Sequence, residues 1–328
     1  MTSLTLTCIG RQQNTHDVVS WQLAPLSGCL PPVLAGQCIT LHTEIDGQPE
    51  CRAYTLSSSP QDACWQVTIK DVGRVSSHLH QTLQVGDKIR VDGPFGDFNL
   101  TALPCERPLL LSAGSGITPM WAMLRDELAK RPDADIRFIH SARSPADVIF
   151  ADDLATLAAA HSSVRHALIL EEAPADHPWI GRLTPAMLAE LAPDLRERHV
   201  YLCGPAPYMA AVRTMLTELG LPPEQLHQES FGLPPAEPAT TSDHFWLTLK
   251  KSGKKVKILP GQTLLAALEA AGETIMAACR AGVCGSCRCT TTGDIERQSV
   301  MTLSAQDLES GVALACSCTA KGDISLDN

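Results

Sequence analysis

No run of eighteen apolar residues occurs anywhere in the 328-residue chain, so no segment is long enough to cross a bilayer as a helix. The opening MTSLTLTCIG has no basic cluster leading into an apolar stretch, which an export signal requires. Both absences lead to the expectation of a cytoplasmic protein with no membrane span. Aromatic residues are only 4% of the chain, and no basic stripe carries interleaved aromatics, so nucleic acid is not an expected partner. No internal repeat is evident. Eleven histidines and thirty-six acidic residues include no convincing paired-carboxylate or Ser–His–Asp spacing, so no acid–base or nucleophilic centre is assigned. The thirteen cysteines are an odd number in a long chain, which does not suit a disulfide scaffold. Reduced thiols plus one metal site explain them better.

The net charge is −10, unevenly spread. Residues 244–328 hold nine Lys and Arg against eight Asp and Glu, whereas residues 1–243 hold seventeen against twenty-eight. The one basic patch is Lys250, Lys251, Lys254, Lys255 and Lys257. A solvated β-hairpin is the favoured reading of it, ahead of a docking surface.

Residues 233–243, LPPAEPATTSD, form the clearest composition break and read as a linker. Before residue 100, short β-like runs at 38–43, 65–72 and 88–91 alternate with turn residues, as in an antiparallel barrel or sandwich. From Pro108 the pattern changes. Apolar strands at 109–112, 136–140, 167–170 and 199–203 alternate with helices at 120–130, 150–160 and 185–191. That alternation predicts a doubly wound parallel sheet. The last segment reads as two strands within 245–258 and a helix over 263–271.

The strongest chemical signal is Cys279-Arg-Ala-Gly-Val-Cys284-Gly-Ser-Cys287, followed by Cys316. This is the C-x4-C-x2-C…C spacing of plant-type [2Fe–2S] sites. Three thiolates converge from one tight loop and a distant fourth closes the second iron, while Gly282 and Gly285 let the loop wrap closely. A zinc site on Cys284, Cys287, Cys316 and Cys318 is the competing reading. It breaks the paired C-x2-C habit of zinc and leaves Cys279 unused. Cys289 and Cys318 are read as small side chains near the cluster.

Leu110-Leu-Ser-Ala-Gly114-Ser-Gly116-Ile-Thr118-Pro119 follows a predicted strand and opens a helix. Gly114 and Gly116 permit a tight turn and close backbone approach to a dinucleotide, with Thr118 and the helix N-terminus completing an anion site. Proline stands where the usual third glycine would be. Arg52-Ala-Tyr54-Thr55 alternates Arg52 and Tyr54 to one strand face and Thr55 to the other.

Taken in order, R-A-Y-T, then Gly73-Arg-Val-Ser76-Ser77, then Gly93-Pro94-Phe95-Gly96-Asp-Phe98, the S-A-G-S-G-I-T-P run, Cys203-Gly204-Pro205 and the cysteine set resemble the ferredoxin–NADP⁺ reductase superfamily with a fused plant-type ferredoxin domain. Within it, they resemble the NADH oxidoreductases that serve the hybrid-cluster protein. The resemblance implies a multi-domain fold: an antiparallel flavin-binding β-barrel over 1–101, a doubly wound NAD domain over 102–233, a linker over 234–243 and a β-grasp [2Fe–2S] domain over 244–328. It implies an oxidoreductase moving electrons from NADH through FAD (rather than FMN) and a [2Fe–2S] cluster to a partner protein. The expected acceptor is a hybrid-cluster protein; the alternatives are a Rieske-type oxygenase or demethylase component and, third, a role as a non-catalytic electron-transfer subunit. The resemblance also implies site roles. Arg52, Tyr54, Thr55, Gly73, Ser76 and Ser77 would hold the flavin, with Tyr54, Thr55 and Cys203 at the reacting centre. Gly114, Gly116, Thr118, Pro119, Cys203, Gly204 and Pro205 would meet the nucleotide, Phe231 would cover the flavin face, and Cys279, Cys284, Cys287 and Cys316 would bind iron. NADH is expected over NADPH, because Arg143 stands alone as a candidate phosphate partner and Glu171 and Glu172 follow the next strand. The chain is expected to act as a monomer.

Overall fold

The computed structural model describes residues 3–231, 244–273, 275, 277, 280, 282, 285–298 and 302–327. The chain divides into two compact units, Met1–Pro49 with Tyr54–Phe231 and Glu50–Ala53 with Gly232–Asn328. The linker expected at 234–243 lies outside the described residues.

The first unit opens with six antiparallel strands: β1 (Ser3–Thr15), β2 (Val18–Pro25), β3 (Cys38–Ile45), β4 (Gln48–Thr55), β5 (Trp65–Lys70) and β6 (Lys88–Phe95). Their order is β4-β3-β6-β1-β2-β5. The edges meet where Leu56 bridges Val67 and the Ser57 N–H donates to the Gln66 carbonyl at 2.8 Å, so the sheet closes into a barrel. Inward-facing residues such as Leu6, Val19, Trp21, Leu41, Val67 and Val91 fill it, as a small barrel demands. Trp21 also spends its indole N–H on the Leu83 carbonyl at 3.1 Å. Helix α1 (Arg74–Thr82) follows β5. Two differences from the sequence reading stand out. β1, at thirteen residues, was not foreseen, because register shifts at Cys8/Gly10 and Gln13/Thr15 break its alternation. β6 runs beyond the expected 88–91 through Gly93-Pro94-Phe95, paired to β3 through Cys38 and Phe95.

The parallel sheet comprises β7 (Pro108–Ala113), β8 (Ile136–Ala142), β9 (Val164–Leu170), β10 (His199–Cys203) and β11 (Leu226–Glu229), with α2 (Ile117–Lys130), α3 (Ala151–Ala160), α4 (Pro185–Leu191) and α5 (Ala206–Glu218) between them. Leu109-Leu110-Leu111 is apolar on consecutive residues and wholly buried, as expected for a strand covered on both faces. The order β11-β10-β7-β8-β9 reverses direction between β7 and β10. In open parallel sheets, ligands bind outside the carboxyl ends of strands at such a switch point. At the opposite end, the buried Arg198 guanidinium is held by Asp135 and Asp194, each at 2.8 Å.

The second unit holds β12 (Phe245–Leu249), β13 (Lys255–Ile258), α6 (Leu264–Ala270), β14 (Arg288–Thr292), β15 (Ile295–Arg297), α7 (Ala305–Glu309), β16 (Val312–Leu314), β17 (Cys318–Ala320) and β18 (Ile324–Asp327). The main sheet runs β13-β12-β18-β14-β16, and its apolar face packs with Leu264, Leu265 and Leu268 of α6. This hairpin, helix and returning strand make a β-grasp ferredoxin fold. The lysine patch falls on the β12–β13 hairpin with all five side chains exposed. β13 is an edge strand, where lysines discourage pairing with other chains.

Candidate functional site

β7 runs straight into a short 3-10 turn, Gly114–Gly116, from which α2 starts. Gly114 sits at φ +51° with open space around its Cα. Gly116 has the opposite constraint: a Cβ there would lie 2.3 Å from the Cys203 carbonyl oxygen. The N-terminus of α2 and the end of β10 are thus in backbone contact, and only glycine fits between them. In front of this junction a cavity of about 360 Å³ opens, lined in part by Gly114, Ser141, Arg143, Asp147, Pro205 and Tyr208. The buried Ser141 and Tyr208 hydroxyls face one another and hydrogen-bond to no other described residue. A glycine turn, a helix N-terminus and buried hydroxyls at a switch point are chemistry that suits a dinucleotide.

Not every residue of the glycine motif faces that space. Thr118 is buried, and its hydroxyl donates to the Ser115 carbonyl at 3.1 Å; Pro119 is buried too. Gly204 packs tightly, since a Cβ would meet the Tyr208 ring at 2.8 Å. Pro205 caps α5.

Cys203 is fully buried at the end of β10 and lies in register with Ser112 of β7 and Glu229 of β11. Burial, with Glu229 beside it, pushes the thiol well above its ordinary range. Burial also lifts the Glu229 carboxyl to about 8, and its Oε2 has no partner among the described residues. Ser112 Oγ and His140 Nδ1 are hydrogen-bonded at 2.9 Å. Burial, with His166 nearby, drops His140 to about 3. This row is therefore neutral at pH 7.

Sequence reasoning missed Glu229, the Ser112–His140 pair, Asp147 and Tyr208 as site residues. Glu229 stands two residues before Phe231 and Tyr208 three residues after Pro205, both of which were assigned roles of their own. The Ser112–His140 pair follows only from strand register, which no single segment reveals.

At the barrel, Thr55 is buried at the end of β4, and Tyr54 is half-buried and packs on the barrel core. Arg52 is a third exposed, with Nη1 donating to Glu50 at 3.3 Å and to the Cys51 carbonyl at 2.7 Å. Gly73 is the N-cap of α1. Ser76 Oγ accepts from the Gly73 and Val72 N–H groups at 2.9 and 3.1 Å, so its hydroxyl closes the helix start. Ser77 hydrogen-bonds Asp71. The first-turn amides of α1, which a helix leaves without internal partners, are chemically suited to an anion.

In the second unit, Cys287 and Cys316 are buried with their sulfurs 3.2 Å apart. The Gly282 N–H donates to Cys316 Sγ at 3.1 Å. Arg280, Gly282 and Gly285 all have positive φ, the coiled backbone of a loop that folds round a compact centre. Convergent thiols receiving a backbone N–H fit an iron–sulfur cluster, whose charge such donors offset. Cys279 and Cys284 lie outside the described residues. Cys289 and Cys318 are buried near the starts of β14 and β17. Phe231, the aromatic expected over the flavin, is 45% exposed.

Comparison with known proteins matches three families along the chain. Residues 19–100 match the oxidoreductase FAD-binding domain, 110–214 the oxidoreductase NAD-binding domain and 247–321 the 2Fe-2S iron-sulfur cluster binding domain. The glycine betaine monooxygenase reductase subunit of Chromohalobacter salexigens is 36% identical over 86% of this chain and 83% of its own. The NADH oxidoreductase HCR of Escherichia coli is 35% identical over 91% of this chain and 89% of its own. Among solved structures, phthalate dioxygenase reductase, described as a modular structure for electron transfer from pyridine nucleotides to [2Fe–2S], superimposes with a TM-score of 0.65 at 25% identity, covering 99% of this chain and 98% of that one.

Proposed function

As a member of the family of NADH-dependent reductases that join FAD-binding, NAD-binding and [2Fe–2S] domains in one chain, this protein, we propose, is the reductase component of a Rieske-type oxygenase or demethylase. The observation that carries this is full-length similarity, domain by domain, to a glycine betaine monooxygenase reductase subunit and to phthalate dioxygenase reductase.

The domains take the bounds 1–101, 102–233 and 244–328, with a linker over 234–243, in a monomer of the cytoplasm. The bound FAD and cluster supply the conversion of one hydride into two single electrons. The chain's own residues supply alignment and shielding. Gly114, Gly116 and the α2 amides receive the pyrophosphate of NADH, backed by Thr118 and Pro119. Cys203, Gly204 and Pro205 form the floor under the nicotinamide, where a neutral thiol keeps water and charge away from the hydride path. Arg52 pairs with flavin phosphate, Tyr54 packs on the isoalloxazine, and Thr55 offers a hydrogen bond at its reactive edge. Gly73, Ser76 and Ser77 shape the turn for the second phosphate, and Phe231 covers the flavin face. Cys279, Cys284, Cys287 and Cys316 ligate the cluster.

Stopped-flow mixing of the NADH-reduced protein with candidate acceptors tests the reading. Rapid reoxidation by a Rieske oxygenase component, and slow reoxidation by hybrid-cluster protein, is the expected result. The reverse order would favour the second reading, a hybrid-cluster protein reductase, which rests on the similarity to NADH oxidoreductase HCR.

A further inference from the structure

The cavity at the carboxyl edge of the parallel sheet is lined by three cations, Lys70, Arg143 and Arg182, and by three carboxylates, Asp17, Asp147 and Glu171. Each cation is paired with one of those carboxylates. Arg143 Nη2 donates to Asp147 Oδ1 at 2.7 Å, Lys70 Nζ lies 3.1 Å from Asp17, and Arg182 Nε lies 3.3 Å from Glu171. The lining is electrically balanced, and every guanidinium or ammonium in it is already engaged.

Arg143 follows directly on β8, the second strand of the sheet in chain order. In doubly wound sheets this region reads the adenosine ribose: a carboxylate accepts from a free 2′-hydroxyl, whereas an arginine accommodates a 2′-phosphate. Here both residue types are present and bound to each other. Asp147 is the better fixed of the two. Its second oxygen accepts from Ser144 Oγ at 2.7 Å, its N–H donates to the Ser144 carbonyl at 3.0 Å, and its side chain is only 18% exposed. His16 lies 3.7 Å from the same carboxylate. Glu171 is much more exposed, at 45%, so its charge is better screened.

We infer that Asp147 makes this chain select NADH over NADPH, by holding Arg143 in an ion pair and setting its own charge where a 2′-phosphate would lie. The inference rests on the reading that this cavity takes the nucleotide. A phosphate monoester carries nearly two negative charges at pH 7. To bind, it must either break the Arg143–Asp147 pair or sit against the carboxylate, while a ribose hydroxyl can donate to Asp147 as it stands.

Calorimetry on the full-length holoprotein with ADP-ribose and with its 2′-phosphorylated form tests this without turnover. The wild type should bind ADP-ribose more tightly by about tenfold or more. Asp147→Asn and Asp147→Ala should each gain about tenfold for the 2′-phosphate form and lose affinity for ADP-ribose, the Ala variant by about tenfold, because the ribose hydroxyl loses its acceptor. Adding Arg143→Ala to either should erase the gain. In turnover, the same variants should lower KM for NADPH and raise KM for NADH, so that the preference for NADH narrows or reverses. If ADP-ribose binds the wild type but neither Asp147 variant gains 2′-phosphate affinity, the role of Asp147 is wrong. If neither compound binds the wild type, the placement of the nucleotide is wrong.

Discussion

Cys203 and Glu229 lie side by side in the register of two adjacent parallel strands, both buried, and burial keeps both protonated at neutral pH. An anion on either residue would be buried without a counter-charge at the carboxyl end of the sheet. Their neutrality therefore bears on folding.

The first expectation concerns pH and stability. The Glu229 carboxyl moves from 4.5 to about 8 on folding. The folded state thus keeps a proton that the unfolded chain gives up above pH 4.5. The resulting stabilisation is full below about 4.5, declines as pH rises, and is gone above about 8. Glu229→Gln removes this dependence. Urea unfolding from pH 5 to 9 should show the variant gaining on the wild type by on the order of 2–4 kcal/mol. A constant difference across that range would refute the assignment.

The second concerns the contact between α2 and β10. Ala at position 116 places a Cβ 2.3 Å from the Cys203 carbonyl oxygen and 2.5 Å from its carbon, and neither backbone can yield cheaply. Gly116→Ala should cost about 2 kcal/mol, roughly 4–8 °C in Tm, and raise KM for NADH by tilting the helix start. Thermal unfolding and steady-state kinetics check both effects, and an unshifted Tm would show that the junction is loose.

The third separates cluster ligands from bystanders. Cys287→Ser and Cys316→Ser should abolish the iron–sulfur absorbance while NADH:ferricyanide activity, which needs only the flavin, persists. Cys289→Ser and Cys318→Ser should keep the cluster. The Cys289 thiol donates to the Ala313 carbonyl at 3.6 Å. Loss of iron in the Cys318 variant would point instead to a metal held by the C-terminal cysteines, as in the zinc reading.

Much of this architecture is legible in the sequence for identifiable reasons. β10 and α4 fall on the residues their apolar runs predict, and β7 and β8 extend those runs by one or two residues, because buried parallel strands are apolar on both faces. The glycine motif is legible because backbone contact leaves one residue type that fits. β1 is not, since bulges interrupt its alternation, and neither is α5, whose first turn reads as a Pro-Ala-Pro loop. The Ser112–His140 bond needs the register of β7 against β8. The Arg143–Asp147 pair has i,i+4 spacing but lies in an irregular loop, where that spacing has no fixed geometry.

The central claim is a single path for electrons from NADH through FAD to the [2Fe–2S] centre within one chain. Anaerobic titration of the purified protein with NADH, followed by absorbance and by low-temperature electron paramagnetic resonance, tests it most directly. The account predicts bleaching of the flavin band together with a [2Fe–2S] signal that disappears in Cys316→Ser. A colourless protein, or a flavin that bleaches while the iron stays oxidised, would contradict it.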